Sequence, residues 1–535
     1  MVCSANRLAS QIGVDILKQG GNAVDAACAV GFALAVVYPE AGNLGGGGFM
    51  LIRLANGKST AIDYRETAPA QASRTMYLDG TGKVLANMSL VGYRASGVPG
   101  TVAGLAMAQR KYGRLRWDQV VSPARLLAQD GYDLSASSAS NLRRALNLAQ
   151  FPESRRIFQN DGKFYKAGDR FIQPDLGETL QRIEAKGPSD FYRGKTAHMI
   201  ADAMKGAGLI TLNDLKRYQP VERKPVVGSY QGYQVITMPP PSSGGIALIE
   251  MLNVLQHYSL SQLGFDTAAT DHLLIETMRR AFADRSEFMG DPDFVKIPRK
   301  GLTSKRYADL LASSIDPEKA SLSSSVGHGN PSGYESSETT HFSVVDAAGN
   351  AVSNTYTLNF GYGSGVTIPG AGFLMNDEMD DFTSKPGVPN GFGLIQGEAN
   401  AVAPHKRPLS SMTPTILVKN GKLAMVIGSP GGPTIITTVL QVILNVVDHH
   451  MNIAEAIAAP RIHHQWLPDE LAAETSSIPD STYQALLRMG HKLDRSARRP
   501  NNRWGDAEGI WIDPKTGKRQ GASDPRSKDA AAVGY

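Results

Sequence analysis

A chain of 535 residues, 42% hydrophobic and 20% charged, has the composition of a globular protein, and its length admits one large multilayer unit or roughly two to three smaller ones. A net charge of +5 over that length is too small to imply a nucleic-acid partner, and the basic cluster Arg495, Arg498, Arg499 and Arg503 reads as a solvated face. With only Cys3 and Cys28 present, a disulfide framework and a cysteine-based zinc site are excluded, which leaves room for one bridge between the two.

No basic stretch followed by an apolar run and a cleavage site opens the chain, so a signal peptide is not expected in it. Leu8, Ile12 and Ile16 recur at helical spacing, the pattern stops at Gly20-Gly21, and Asn22 is placed to cap the next helix. The run from Ala26 to Tyr38, broken only by Gly31, is well short of the ~20 residues of a membrane span and is expected as a core helix. "GFMLIRLANGKSTAIDYRE" then reads as strand, turn, strand, with Asn56-Gly57 at the turn. Helical patterns follow over Thr101 to Arg217 and Ile246 to Met289, separated by the strand and Pro/Ser/Gly break of "YQGYQVITMPPPSSGG". Ser321 to Glu338, rich in Ser and Gly and without a period, is expected as a mobile linker. Beyond it the chain turns β-rich, with a hairpin on Asn420-Gly421 and a helix beginning near Gly432.

Two threonines stand at the border between linker and strands, in "SSETTHFSVVDAAGNAVSNTYTLN". A three-residue loop at Ala347 to Gly349, with the glycine left-handed, sets Asp346 against Asn350 and, counted back, Thr339 against Thr357. Such a pair is ordinarily a cross-strand contact. It also suits chemistry: a threonine hydroxyl is activated when its own α-amine serves as base, which requires cleavage after Glu338 in the linker.

The stretch Thr339 to Gly363, with "GGNAVDAA", "GGGGFMLIR", "DYRETAP", "NDEMDDF", "RPLSSMTPT", "GSPGG", "HHQWLPDE" and "GASDPRS", resembles the γ-glutamyltransferase (glutathione hydrolase) family of N-terminal nucleophile hydrolases. The resemblance implies an α+β fold, a four-layer αββα sandwich made jointly by a large subunit, 1–338, and a small one, 339–535, cut from one precursor between Glu338 and Thr339. It implies Thr339 as nucleophile with its freed amine as base, Thr357 holding that amine and hydroxyl, and the N–H groups of Gly431 and Gly432 as oxyanion hole. For the substrate's amino acid head it implies Arg65 with Ser410 and Ser411 on the carboxylate, and Glu378, Asp381 and Asn359 on the ammonium. Phe392 stands where lid-bearing bacterial members carry a tyrosine, so the lid is expected to lack that hydroxyl's hydrogen bond.

The activity so implied is γ-glutamyl transfer and hydrolysis, with glutathione and related amides as donors, water, amino acids or peptides as acceptors, no cofactor, no metal, and a periplasmic or secreted location. The alternatives are a cephalosporin (glutaryl) acylase of the same superfamily, whose substrate lacks the ammonium, and a non-catalytic binding or scaffold protein. "NLGGGGFM" lacks the Lys-Ser/Thr of a phosphate loop and no G-x-S-x-G elbow occurs. The adjacent pairs His449-His450 and His463-His464 have divergent side chains and read as structural.

Overall fold

The computed structural model describes residues 1–331, 341–474, 478–494 and 504–535. Glu338, Thr339, the end of the linker and the basic cluster of Arg495, Arg498, Arg499 and Arg503 lie outside the described residues.

Two antiparallel sheets form the middle of the molecule. One is seven-stranded, in the order Ala531–Val533, Val2–Ser4, Phe342–Val345, Ala351–Thr357, Gly47–Arg53, Ser59–Asp63, Val221–Arg223. The other is six-stranded, in the order Arg519–Ser523, Glu508–Ile512, Lys422–Ile427, Thr415–Lys419, Tyr233–Thr237, Val226–Tyr230. Successive side chains of a strand point to opposite faces, and both faces here are buried. Phe49 and Leu51 meet Ile236, Ile416 and Val426 in the layer between the sheets, whereas Met50 and Ile52 pack outward against the helix Ala23–Val37. Val235, Leu417, Met425 and Ile427 cover the far face, under the helices Gly244–Leu255, Ala268–Phe288 and Thr434–Val447. The result is the expected αββα sandwich. Each fully buried Val, Leu, Ile or Phe contributes about 1.5–3 kcal/mol to holding the layers together.

Both sheets combine strands from before residue 331 and after residue 341. Ala351–Thr357 pairs with Gly47–Arg53, and Thr415–Lys419 pairs with Tyr233–Thr237. A cut between the two stretches would therefore leave two chains sharing one core.

Local signals account for several element ends. Asn22 closes a capping box with Asp25, and Gly20 is left-handed at φ 91°. Asn420 and Gly421, at φ 51° and 76°, form the two-residue turn that joins Lys419 to Lys422. At Asn56-Gly57 only the glycine is left-handed, and the loop is longer, closed by Leu54 N donating to Lys58 O at 2.8 Å. The threonine hairpin has the counted register: Asp346 N donates to Asn350 O at 3.1 Å, Gly349 is at φ 88°, and the ladder runs from Val345–Ala351 to Phe342–Asn354.

Two expectations change. Cys3 and Cys28 are both free and buried in separate places, so the possible bridge is not formed. The linker's first part is tied down: Trp466 Nε1 donates to Ser323 O at 3.0 Å and Val326 O at 2.7 Å, and Gly329 N donates to Asp284 Oδ1 at 2.7 Å. Ser/Gly composition signals weak self-packing, but it does not forbid backbone groups from being captured by a neighbouring core.

Candidate active site

The strand Ala351–Thr357 ends at a cleft of about 1280 Å³ whose wall includes Thr357, Asn359, Glu378, Asp381, Phe392, Ser410, Ser411, Gly431 and Gly432. Thr357 caps its own turn: its Oγ1 accepts from Asn359 N at 2.8 Å. Asn359 is left-handed at φ 83° and its Nδ2 donates to Asp377 O at 3.1 Å, which fixes the amide against the floor of the site.

Gly431 and Gly432 precede the buried helix Thr434–Val447, at φ 135° and 58°, conformations that favour glycine. A Cβ on Gly432 would lie 2.6 Å from the Phe392 ring. Among the described residues neither glycine's N–H donates a hydrogen bond. Two unspent donors just before an apolar helix lie at the positive end of its dipole.

Arg65 follows the strand Ser59–Asp63 and is wholly buried. Its Nη1 and Nη2 pair directly with Glu378 and Asp381, while Nε donates to Pro408 O at 3.2 Å and Nη2 to Leu409 O at 3.3 Å. A third carboxyl, Glu66, stands 3.7 Å from Nη1. Burial opposes the charge on Arg65, but Glu378, Asp381 and Glu66 outweigh it and hold the guanidinium above its ordinary value. Burial likewise pushes Glu378 and Asp381 up against the pull of Arg65. It raises Glu66 to about 7, and among the described residues neither oxygen of Glu66 finds a hydrogen-bond partner. Three acids crowd one cation, so burial and mutual repulsion favour protonation within the junction while Arg65 opposes it.

Arg65, expected on the substrate's carboxylate, is thus in direct contact with Glu378 and Asp381, expected on its ammonium. Arg65 does not stand apart from Glu378 and Asp381; the three meet at one point. The reason is electrostatic: an isolated charge buried in this core would cost several kcal/mol. The carboxylate and ammonium of an α-amino acid share one carbon, so an alternating cluster of plus and minus suits such a zwitterion better than two separated poles.

Ser410 lies under the Pro/Ser/Gly break: Ser410 N donates to Pro241 O at 3.1 Å, and Ser243 N returns a bond to Ser410 O at 3.1 Å. The Ser411 hydroxyl accepts from Arg285 Nη2 at 3.0 Å.

The segment around Phe392 is held by a ring contact and by Asp380. The Phe392 ring stacks on Phe360 with centroids 4.3 Å apart and planes 15° from parallel. Gly391 N donates to Asp380 Oδ2 at 2.8 Å, and Ser89 Oγ to Asp380 Oδ1 at 2.7 Å; burial pushes Asp380 up to about 6. Phe392 is thus one half of an aromatic stack.

The sequence reading passed over Glu66, Phe360, Asp380 and Arg285. Glu66 lay inside the quoted "DYRETAP", where an acid beside the arginine was the available signal; Phe360 and Asp380 became meaningful only with their partners. Of the histidine pairs, His463 Nδ1 bonds Thr437 Oγ1 at 2.9 Å and His449 packs edge-on to Phe265. Among the described residues no group of three or more His, Cys, Asp or Glu is arranged to hold a metal ion.

A family model described as gamma-glutamyltranspeptidase matches residues 9–534. The chain belongs to that family. The glutathione hydrolase proenzyme of Escherichia coli (strain K12) is 51% identical over 538 residues, covering 100% of this chain and 92% of the relative. Among solved structures, Helicobacter pylori gamma-glutamyltranspeptidase matches at 46% identity and a TM-score of 0.60, over 61% of this chain and 94% of that one. A cephalosporin acylase from Bacillus halodurans shares the fold along the whole length, with a TM-score of 0.88 at 27% identity over 100% of this chain and 95% of that one. Structural neighbours thus include a protein with a different printed substrate, and the overall fold does not choose between them.

Proposed function

We propose that this member is a γ-glutamyl hydrolase and transferase acting on glutathione and related amides. The observation that carries the reading is that Glu378, Asp381, Ser410 and Ser411 line the same cleft as Gly431 and Gly432, with the buried Arg65 paired to both acids behind the wall. In this reading the ammonium of an amino acid head faces the two acids, and its carboxylate faces the serine hydroxyls with the charge of Arg65 behind them. The glutaryl head of the acylase alternative has no ammonium to set against two acids. A scaffold protein would have no use for a buried junction opening on a cleft.

In this reading the precursor is cut between Glu338 and Thr339 into subunits 1–338 and 339–535, and the new α-amine of Thr339 becomes the base. The Thr339 hydroxyl attacks the γ-carbonyl carbon. Its proton passes to that amine and then to the departing amine, leaving a γ-glutamyl ester. Water or an acceptor amine attacks the ester carbonyl, and the threonine oxygen recovers a proton as it leaves. Gly431 and Gly432 N–H groups hold the negative oxygen of both tetrahedral states. Thr357 steadies the nucleophile, Asn359 joins Glu378 and Asp381 around the ammonium, Ser410 and Ser411 join Arg65 on the carboxylate, and Phe392 closes the lid. The mature protein is placed outside the cytoplasm, in the periplasm or the medium. Among the described residues no helix is long and apolar enough to cross a membrane.

The deciding experiment is mass spectrometry of the purified protein together with turnover of γ-glutamyl-p-nitroanilide. A new N-terminus at Thr339 in the parent, and an uncut, inactive but folded Thr339→Ala variant, are the expected results. A Thr339→Ala variant that still yields two fragments, or hydrolyses the anilide, rules the reading out.

A further inference from the structure

Arg285, near the end of the helix Ala268–Phe288, is 2% exposed. A guanidinium so placed needs acceptors on its donor edges. Two of them are serine hydroxyls: Nε donates to Ser243 Oγ at 2.8 Å and Nη2 to Ser411 Oγ at 3.0 Å. Ser243 Oγ passes its own hydrogen to Ser410 O at 3.0 Å, so the same arginine braces both serines, one through its side chain and one through its backbone.

The consequence lies in hydrogen direction. A hydroxyl has a single hydrogen, and where its oxygen accepts from a guanidinium that hydrogen points away from the donor. Among the described residues the Ser411 hydrogen meets no protein acceptor, and Ser411 lines the cleft. The charge of Arg285 also reaches Asp381, which places it close behind the Arg65 junction.

We propose that Arg285 is a positioning residue for carboxylate recognition: by donating to Ser411 it turns that serine's hydrogen into the cleft, toward the α-carboxylate of the substrate. This rests on the reading above that Ser410 and Ser411 hold the carboxylate. Arg285 acts from behind the wall and touches no reacting atom.

The test compares Arg285→Gln, Arg285→Lys, Ser411→Ala and the double variant Arg285→Gln/Ser411→Ala on two anilides. One is γ-glutamyl-p-nitroanilide; the other is 4-aminobutanoyl-p-nitroanilide, which keeps the ammonium and lacks the carboxylate. Arg285→Gln is expected to raise KM for the γ-glutamyl compound about tenfold while kcat changes less than about twofold, as expected for loss of an oriented, charge-assisted contact. Arg285→Lys, with one donor in place of a fork, should fall between parent and Arg285→Gln. On the aminobutanoyl compound kcat/KM should stay within about twofold, and the double variant should be no worse than Ser411→Ala.

If Ser411→Ala raises KM but Arg285→Gln does not, or if their effects multiply, the proposal falls and the pocket reading stands. Equal losses on both anilides also overturn it, since they mark a merely structural role. If Ser411→Ala itself leaves KM unchanged, the pocket reading fails first. Should the Arg285 variants not accumulate as processed protein, Ser243→Ala removes the Nε acceptor and lets the guanidinium swing. A KM rise of about threefold confined to the γ-glutamyl compound then supports the proposal, and an unchanged KM overturns it.

Discussion

Replacing Arg65 by glutamine removes the cation from a buried cluster holding Glu378, Asp381 and Glu66. Breaking a buried pair from one side typically costs about 3–5 kcal/mol, because the remaining charge is left uncompensated. At roughly 2 cal/mol/K of unfolding entropy per residue, a chain of 535 residues converts that cost into a fall in Tm of about 3–5 °C. The size should depend on pH in a definite sense. All three carboxyls are pushed up by burial and held down by Arg65. A carboxyl raised in the folded state contributes stability that is present below its unfolded pKa and is lost as pH rises through the folded value. Without Arg65 the folded values climb further and the loss grows through neutral pH, so the gap between parent and variant should be small near pH 5 and full near pH 8. Thermal unfolding at those two pH values measures it, and Arg65→Gln/Glu378→Gln should recover part of the loss by removing one of the stranded charges. A variant as stable as the parent at pH 8, or one penalised more at pH 5, would refute the charge account of this junction.

Three further outcomes are expected. Phe360→Leu removes the stack on Phe392, worth about 0.5–1.5 kcal/mol; amide exchange at Gly391 and Gly393 should quicken about two- to tenfold, and unchanged exchange would mean that the stack does not hold the lid. Glu66→Gln replaces a carboxyl raised to about 7 from 4.5 by a neutral group. The variant should gain about 1–3 kcal/mol on the parent as pH rises through that window and no more above it, and parallel stability profiles would show that Glu66 does not titrate there. Asp380→Ala removes the acceptor of Gly391 N and Ser89 Oγ; proteolysis within 384–393 should accelerate with the sandwich intact, and an unaltered cleavage rate would assign the lid's hold to other contacts.

What the sequence by itself determined is local. The capping box at Asn22, the left-handed Asn420-Gly421 turn and the register of the hairpin around Gly349 depend on residues a few positions apart, and steric and hydrogen-bonding rules act at that range. The alternation of Phe49, Met50, Leu51 and Ile52 between two buried faces follows from strand geometry alone, and the ordered motifs carried the family and with it the layers. Tertiary structure decided which charges and rings meet. Arg65 finds Glu378 313 positions away, and Arg285 finds Ser411 126 positions away. Side-chain identity says that a buried guanidinium must be paired, but which acid or hydroxyl pairs with it is fixed only when two sheets and their helices close on one another. For the same reason Phe392, read alone as a missing hydroxyl, is in the folded protein half of an aromatic stack. Its partner, Phe360, comes from the loop after the central strand, and only the closed sandwich sets the two rings face to face.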